Sequence, residues 1–248
     1  MKILVLDIET SLIEVCVFSL RQRFIDPKLI TKDWTILSWS AKWLGDPPGK
    51  IQFQSSRRQT EKQALKKLYA LIDEADACIA HNGDGFDFGK INSKFEEHGF
   101  KPVSPYKRLD TLKIFQKVFG EINNSLAYLT EKYNKKYKKL KHSKFPGVEL
   151  WLEVRKGNIE AWREMEKYNK HDVLALEELY MRASPWDDKP LFIHADEVRC
   201  KCGSTNYQKR GFYYTNLRKY QRYQCQDCGY WWRDTRAIRC GAQQGCVR

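Results

Sequence analysis

Ile3-Leu4-Val5-Leu6-Asp7-Ile8-Glu9-Thr10 decides how this chain is read. An apolar run of this kind predicts a buried strand, and Asp7 and Glu9, two residues apart, share one of its faces. Gathering two carboxylates at the end of a buried strand is costly, and a divalent cation offsets that cost. The pair alone is a weak signal; two later segments strengthen it.

Downstream, strands are expected near residues 2–8, 15–20, 35–43 and 50–54, all rich in β-branched and aromatic residues. Ala64, Leu65, Leu68, Leu71 and Ile72 fall at helical spacing, so 60–74 is a helix. Ala77-Cys78-Ile79-Ala80 is a short buried strand leading into His81-Asn82-Gly83-Asp84-Gly85-Phe86-Asp87. Helices follow over 88–98, 111–119, 124–134 and 158–182, the last capped by Asn158 and stopped by Pro185. Strands first, then alternating helices and strands, describe an α/β domain with a mixed sheet. The expected boundaries are a domain over 1–186, a linker over 187–197, and a small unit over 198–248.

Three segments carry the chemistry: Asp7-x-Glu9; Asn82-x-x-x-Phe86-Asp87, opening a helix; and Tyr168-x-x-x-Asp172, four apart on one helix face. Four carboxylates from strand ends and helices suit two divalent cations about 3.5–4 Å apart, and hard oxygen ligands favour Mg²⁺ or Mn²⁺ over zinc. Tyr168 is then placed to position a water. Asp84 ranks below Asp87 as a ligand, and Asp110 is read as near the cleft or as a cap for the following helix. His171 points about 100° away from Asp172 around the helix. Gly83 and Gly85 lack the Lys-Ser/Thr ending of a phosphate-cradling loop and read as turn residues.

In order and spacing, these segments resemble the three motifs of the DEDD superfamily of 3′-5′ exonucleases, and the likeness extends to Leu109-Asp110-Thr111-Leu112 and Trp162-Arg163-Glu164-Met165-Glu166-Lys167-Tyr168-Asn169. The family's histidine subclass has His five residues before the last Asp; Lys167 stands there, so the chain resembles the tyrosine subclass and its stand-alone phage and bacterial members. The resemblance covers roughly residues 1–186. It implies a ribonuclease-H-like fold, two-metal hydrolysis and release of nucleoside 5′-monophosphates from a 3′ end. It also implies Asp7, Glu9, Asp87 and Asp172 as metal ligands, Tyr168 as the water-orienting group, and Thr10, Asn82 and Phe86 as the lining of the terminal nucleotide. DNA, as single strands or frayed 3′ ends, is the preferred substrate. An exoribonuclease, an endonuclease, or a nucleic-acid-binding module with a vestigial acidic site are the alternatives. With no polymerase domain visible, any proofreading role requires a replication partner in trans.

Charge and cysteines divide unevenly. Net charge is +13; from residue 190 onward 11 Lys and Arg face 4 Asp and Glu, so the tail is far more basic per residue than what precedes it. That suits a part that touches phosphates. No apolar run spans a membrane and the amino terminus does not read as a secretory leader, so a cytoplasmic location is expected, in a bacterial cell or phage-infected host. Cys16 and Cys78 read as core thiols. Cys200-Lys201-Cys202-Gly203 and Cys225-Gln226-Asp227-Cys228-Gly229 resemble the two knuckles of a zinc ribbon holding one structural Zn²⁺, although one residue separates the first pair where two are usual. Cys240, Cys246 or His194 could substitute. Between the knuckles, Lys209, Arg210, Arg218, Lys219 and Arg222 interleave with Tyr207, Phe212, Tyr213, Tyr214, Tyr220 and Tyr223. Cations on phosphates and rings on bases suit a single strand, while a ribbon core would use the same aromatics. Arg210, Arg218, Lys219 and Arg222 are the substrate-binding candidates there. A second basic run, Lys132, Lys135, Lys136, Lys138, Lys139 and Lys141, either tracks the substrate backbone or is a solvated charge run.

Overall fold

The computed structural model describes residues 1–19, 21, 23–140, 144–187, 198–215 and 218–238. The chain divides into two compact units, Met1–Tyr180 and Met181–Arg248. The expected linker, 187–197, lies almost wholly outside the described residues, as do Lys141, His194, Cys240 and Cys246.

The first unit is built on a five-stranded mixed sheet. Its strands are β1 (Ile3–Thr10), β4 (Ile36–Trp43), β5 (Gln52–Ser55), β6 (Ala77–Ala80) and β7 (Lys107–Asp110), in the order β5-β4-β1-β6-β7. β1 pairs antiparallel with β4 and parallel with β6; β4 and β5 are antiparallel, β6 and β7 parallel. Two short strands, β2 (Glu14–Val15) and β3 (Ile30–Lys32), pair as a separate antiparallel arm between β1 and β4. The strand expected over 15–20 is therefore a correction: pairing ends at Val15, and Cys16 is exposed rather than a core thiol. Phe18 and Phe24 are also almost fully exposed, so apolar residues here do not mark a buried strand.

Helices α1 (Glu61–Glu74), α2 (Asp87–Glu97), α3 (Thr111–Val118), α4 (Leu126–Tyr133), α5 (Glu149–Arg155) and α6 (Ile159–Ala183) complete the unit. Local chemistry sets their starts. Thr60 and Gln63 form a reciprocal capping box at α1, and Asn158 Oδ1 accepts from the amide of Glu160 at 3.0 Å to begin α6. Ser184-Pro185-Trp186 forms a single 3₁₀ turn after α6, as Pro185 requires. β7 and α5 were not legible in the sequence: Lys107-Arg108 gives β7 an exposed, charged first half.

The alternation of β1 sorts the unit into layers. Leu4, Leu6 and Ile8 face one side, paired with Trp43, Ala41 and Trp39, and pack with Leu65, Leu68 and Ile72 of α1 and Phe88, Ile91 and Phe95 of α2. Val5, Asp7 and Glu9 face the other, opposite Lys42, Ser40 and Ser38. On that side α6 docks through polar bonds: Asn169 reaches Asp7, and Glu177 holds Lys42 Nζ at 2.7 Å.

The second unit carries a three-stranded antiparallel sheet of order β10-β9-β8, with β8 (Tyr207–Tyr214), β9 (Lys219–Cys225) and β10 (Trp231–Ile238). Both ladders carry bulges, between Lys209 and Phe212 on β8 and between Arg233 and Ala237 on β10.

Candidate active site

Carboxylate oxygens of Asp7, Glu9 and Asp172 lie within 4.8 Å of one another. β1 supplies the first two by its period of two; α6 supplies the third, buried to 1 % exposure. Asp87, the first residue of α2, does not join that group; its carboxylate is buried and accepts from the Ile8 amide at 3.2 Å. It stays electrostatically coupled to Asp7 and Glu9. Tyr168 lies one helical turn before Asp172 on α6, buried, with its ring edge-on to Trp151 of α5 at 6.5 Å.

The electrostatics reflect crowding of like charge. Burial raises Asp7 well above the usual carboxylate range, and Glu9, Asp172 and Asp87 push it further. Burial and Asp172 push Glu9 up to about 8, and burial lifts Asp87 to about 7 against the amide bond from Ile8. Burial, then Asp172, raises the Tyr168 phenol, which therefore stays protonated near neutrality.

Two residues that the sequence did not assign to the site complete it. Lys139, in the sequence one lysine of a basic run, places its ammonium 2.6 Å from Asp172 Oδ2 and 4.6 Å from the Tyr168 ring centroid. Burial works against that charge, but Asp172, Tyr168 and Asp7 hold Lys139 protonated beyond the ordinary lysine range. Other lysines of the run serve local contacts: Lys132 pairs with Glu121 and Lys138 with Glu131. Asn169, fully buried, donates its amide to Asp7 Oδ2 at 2.6 Å and to the Asp7 carbonyl at 3.2 Å. Its place beside Tyr168 in the quoted motif was visible, its partner was not.

The turn before Asp87 is held from behind. Asn82 adopts φ 59°, a left-handed conformation that asparagine tolerates better than most residues. Asp110 accepts from the amides of Asn82 at 2.8 Å and Asp84 at 3.2 Å, and also caps α3 through Leu112 at 3.0 Å. The capping reading of Asp110 thus stands, with a second duty added. A Cβ on Gly83 would sit 2.6 Å from both Ala80 Cβ and Phe88, so this glycine permits a close approach. Asp84 is occupied by Lys113 at 2.6 Å, and His171 bonds the Lys138 carbonyl at 2.6 Å. Phe86 is partly buried against the core, and Thr10 sits at a bulge in the β1–β4 ladder.

In the second unit, Cys200, Cys202, Cys225 and Cys228 bring their sulfurs within 4.8 Å of one another. Cys200 Sγ stands 3.5 Å from Cys228 Sγ, and Cys202 Sγ 3.7 Å from Cys225 Sγ. A disulfide needs about 2.05 Å. A tetrahedron with metal–sulfur bonds of about 2.3 Å has edges of about 3.8 Å, so the donor set fits zinc. The short first knuckle closes because Gly203 takes φ 89° and donates to the Cys200 carbonyl at 2.8 Å. Burial raises the Cys225 thiol, but amides of Cys228 and Asp227 and the neighbouring thiols outweigh it and bring it to about 7. The oxygen donors of Asp7, Glu9 and Asp172 form a second set, consistent with a hard divalent cation.

Three antiparallel strands continued by two parallel ones, with paired acids on the central strand, define the RNase H-like class of α/β folds. The model of the RNase_H superfamily matches residues 44–184, and the chain belongs to that superfamily. Among solved structures, the chain is similar to the family B DNA polymerase of the hyperthermophilic archaeon Pyrobaculum calidifontis. That likeness has a TM-score of 0.50 and 12% identity, over 75% of this chain and 25% of the polymerase. The chain thus spans about a quarter of the length of that polymerase. No curated protein sequence matches it. Among the described residues, no helix is long and apolar enough to cross a membrane.

Proposed function

We propose that the first unit is a metal-dependent 3′-5′ exonuclease that releases nucleoside 5′-monophosphates from the 3′ ends of nucleic acid, with unpaired DNA ends preferred. One observation carries the reading: Asp7, Glu9 and Asp172 converge within 4.8 Å on the polar face of an RNase H-like sheet. Members of this superfamily are usually nucleases. A structurally similar protein, the Pyrobaculum calidifontis enzyme, is a DNA polymerase, which supports a nucleic-acid substrate and DNA as the first to test.

Asp7, Glu9 and Asp172 would hold the divalent cations, Mg²⁺ or Mn²⁺, with Asp87 completing the set from α2. When bound, such cations polarise the phosphoryl oxygens and supply a nucleophile at neutral pH. The chain's own groups orient the reactants. Tyr168, kept as a neutral phenol, would hydrogen-bond the attacking water and fix its line of approach. Asn169 holds one Asp7 oxygen, so the other keeps a fixed direction. The water oxygen bonds to phosphorus while the bond from phosphorus to the preceding 3′ oxygen breaks; that oxygen takes a proton, and the terminal nucleotide leaves. Thr10, Asn82 and Phe86 would line its pocket.

The test is product analysis on 3′-labelled linear and internally labelled circular DNA and RNA, using zinc-loaded protein with Mg²⁺ or Mn²⁺. Labelled mononucleotide is expected from linear DNA, circles are spared, and Asp7→Ala abolishes release. Intact linear substrates with either cation would overturn the enzyme reading, and cut circles would replace it with an endonuclease.

A further inference from the structure

In the second unit, cross-strand partners share a face of the sheet. Arg222 of β9 stands directly opposite Arg233 of β10. Arg210 lies in the β8 bulge, its carbonyl accepting from Arg222 Nε at 3.0 Å and its own Nε reaching Gln224 Oε1 at 3.1 Å. Gln224 is the partner of Trp231, which places Arg210 on the same side. Three arginines thus cross one face in a row. Like charges directly opposite on neighbouring strands are destabilising, and among the described residues no acid pairs with these arginines. Within 198–238 the acids are Asp227 and Asp234. Asp227 accepts from Ser204 and Asn206, and Asp234 takes the Tyr223 hydroxyl, which belongs to the opposite face. An anion supplied from outside would relieve such a row.

Aromatic rings flank the row on both sides. The Arg222 guanidinium lies 5.0 Å from the Trp231 ring centroid, and Arg233 lies 4.1 Å from Tyr220 and 4.9 Å from Tyr213. Trp231 and Tyr213 remain 42 % and 45 % exposed. The reverse face differs. There Tyr207, Tyr223 and Trp232 pack on one another, and Trp232 packs against the cysteine cluster. Lys219, a substrate-binding candidate from the sequence, lies over Phe212 at 3.7 Å on that reverse face, whereas Arg218, whose amide donates to Thr215 Oγ1 at 3.0 Å, turns its side chain to the Tyr220 hydroxyl on the arginine face. Spacing alone could not separate these residues, because bulges at Arg210-Gly211 and after Arg233 shift the alternation.

We propose that the face bearing Arg210, Arg222, Arg233, Trp231 and Tyr213 is a binding platform for single-stranded nucleic acid, the arginines taking phosphates and the exposed rings stacking unpaired bases. A duplex hides its base faces, so it could use the arginines but not the rings. The inference extends the nucleic-acid reading above and needs no hydrolysis.

Fluorescence anisotropy tests it, with labelled 15-mers of dT and rU and a 15-base-pair duplex, on full-length zinc-loaded protein carrying Asp7→Ala. Both single strands should bind more tightly than the duplex. Trp231→Ala and Tyr213→Ala should each weaken single-strand binding about tenfold, with Trp231→Phe retaining most of it. Arg222→Gln and Arg233→Gln should each lower the slope of log K against log salt by about 0.7. Zinc content, measured in parallel, separates loss of the face from loss of the fold. Unchanged affinity in Trp231→Ala/Tyr213→Ala with zinc retained, or duplex binding as tight as single-strand binding, overturns the platform. Neither result touches the exonuclease reading, which is decided by mononucleotide release from wild-type protein.

Discussion

Replacing Lys139 with methionine should destabilise the first unit when no divalent cation is added, and Mn²⁺ should repair the damage. The ammonium sits 2.6 Å from a carboxylate oxygen of Asp172, which is 1 % exposed, and it faces Tyr168 and Asp7 as well. At an effective dielectric of about 20, two unit charges at that distance attract by roughly 6 kcal/mol before desolvation is counted. Removing one partner of a buried pair costs about 3–5 kcal/mol because the other charge is stranded. Two features lower that figure. The Lys139 side chain is 25 % exposed, and the cluster can take up protons, since Glu9 already titrates at about 8. A loss of about 2–3 kcal/mol is expected, which for a unit of this size lowers Tm by roughly 5–10 °C. Mn²⁺ at a hundred times its Kd stabilises a folded protein by about 2.7 kcal/mol. Its effect should be larger in Lys139→Met, where it replaces the missing positive charge rather than competing with it. Differential scanning calorimetry after dialysis without chelator, so that the cysteine site keeps its metal, measures both quantities. An unchanged Tm without Mn²⁺, or an equal Mn²⁺ increment in the two proteins, would refute the view that Lys139 offsets the acidic cluster.

Burial lowers the His81 imidazole below its usual value, against the pull of the Asn124 carbonyl, so the folded state binds fewer protons than the unfolded one. Its contribution to stability is complete above about pH 6.5 and is lost as pH falls below it. The raised carboxylates Glu9 and Asp87 act in the opposite sense, favouring the folded state as pH falls from about 8, so the His81 effect is read as a difference: urea midpoints of wild type and His81→Gln should diverge between pH 7 and 5, and parallel curves would exclude it. Cys202→Ser tests the short knuckle: metal analysis should show near-complete zinc loss at micromolar protein, and retention of one equivalent would mean that Cys202 is not a ligand.

How far the fold could be read from the sequence depended on whether a signal was local. Leu4, Leu6 and Ile8 alternate with Asp7 and Glu9 on a strand that the structure gives the same alternation, and the capped helices α1 and α6 begin within a residue or so of their signals. Local signals also misled. Val15, Cys16, Val17 and Phe18 look like a strand, yet among the described residues pairing with β3 stops at Val15 and the side chains of Val17 and Phe18 stay exposed. Lys139 was hidden for a different reason. Among neighbouring lysines it has no distinguishing local mark, and its partner Asp172 is 33 residues away. The rows of the second unit were hidden by bulges, which no period-two count anticipates.

The site inherits its character from this division. One strand supplies both the apolar residues that anchor it to α1 and α2 and the acids that face α6, so the acids cannot relax apart without breaking the core. Repulsion among them is therefore built in, and what varies is only the positive charge that answers it. In the protein alone, Lys139 supplies that charge and raised carboxylate pKa values absorb the rest. A divalent cation would supply it more completely, which makes the acidic cluster a place where cation binding and folding stability are one equilibrium. Asp7→Asn should consequently raise stability in cation-free buffer while removing the Mn²⁺ increment, so that stability and cation response move in opposite directions from a change of a single oxygen to nitrogen.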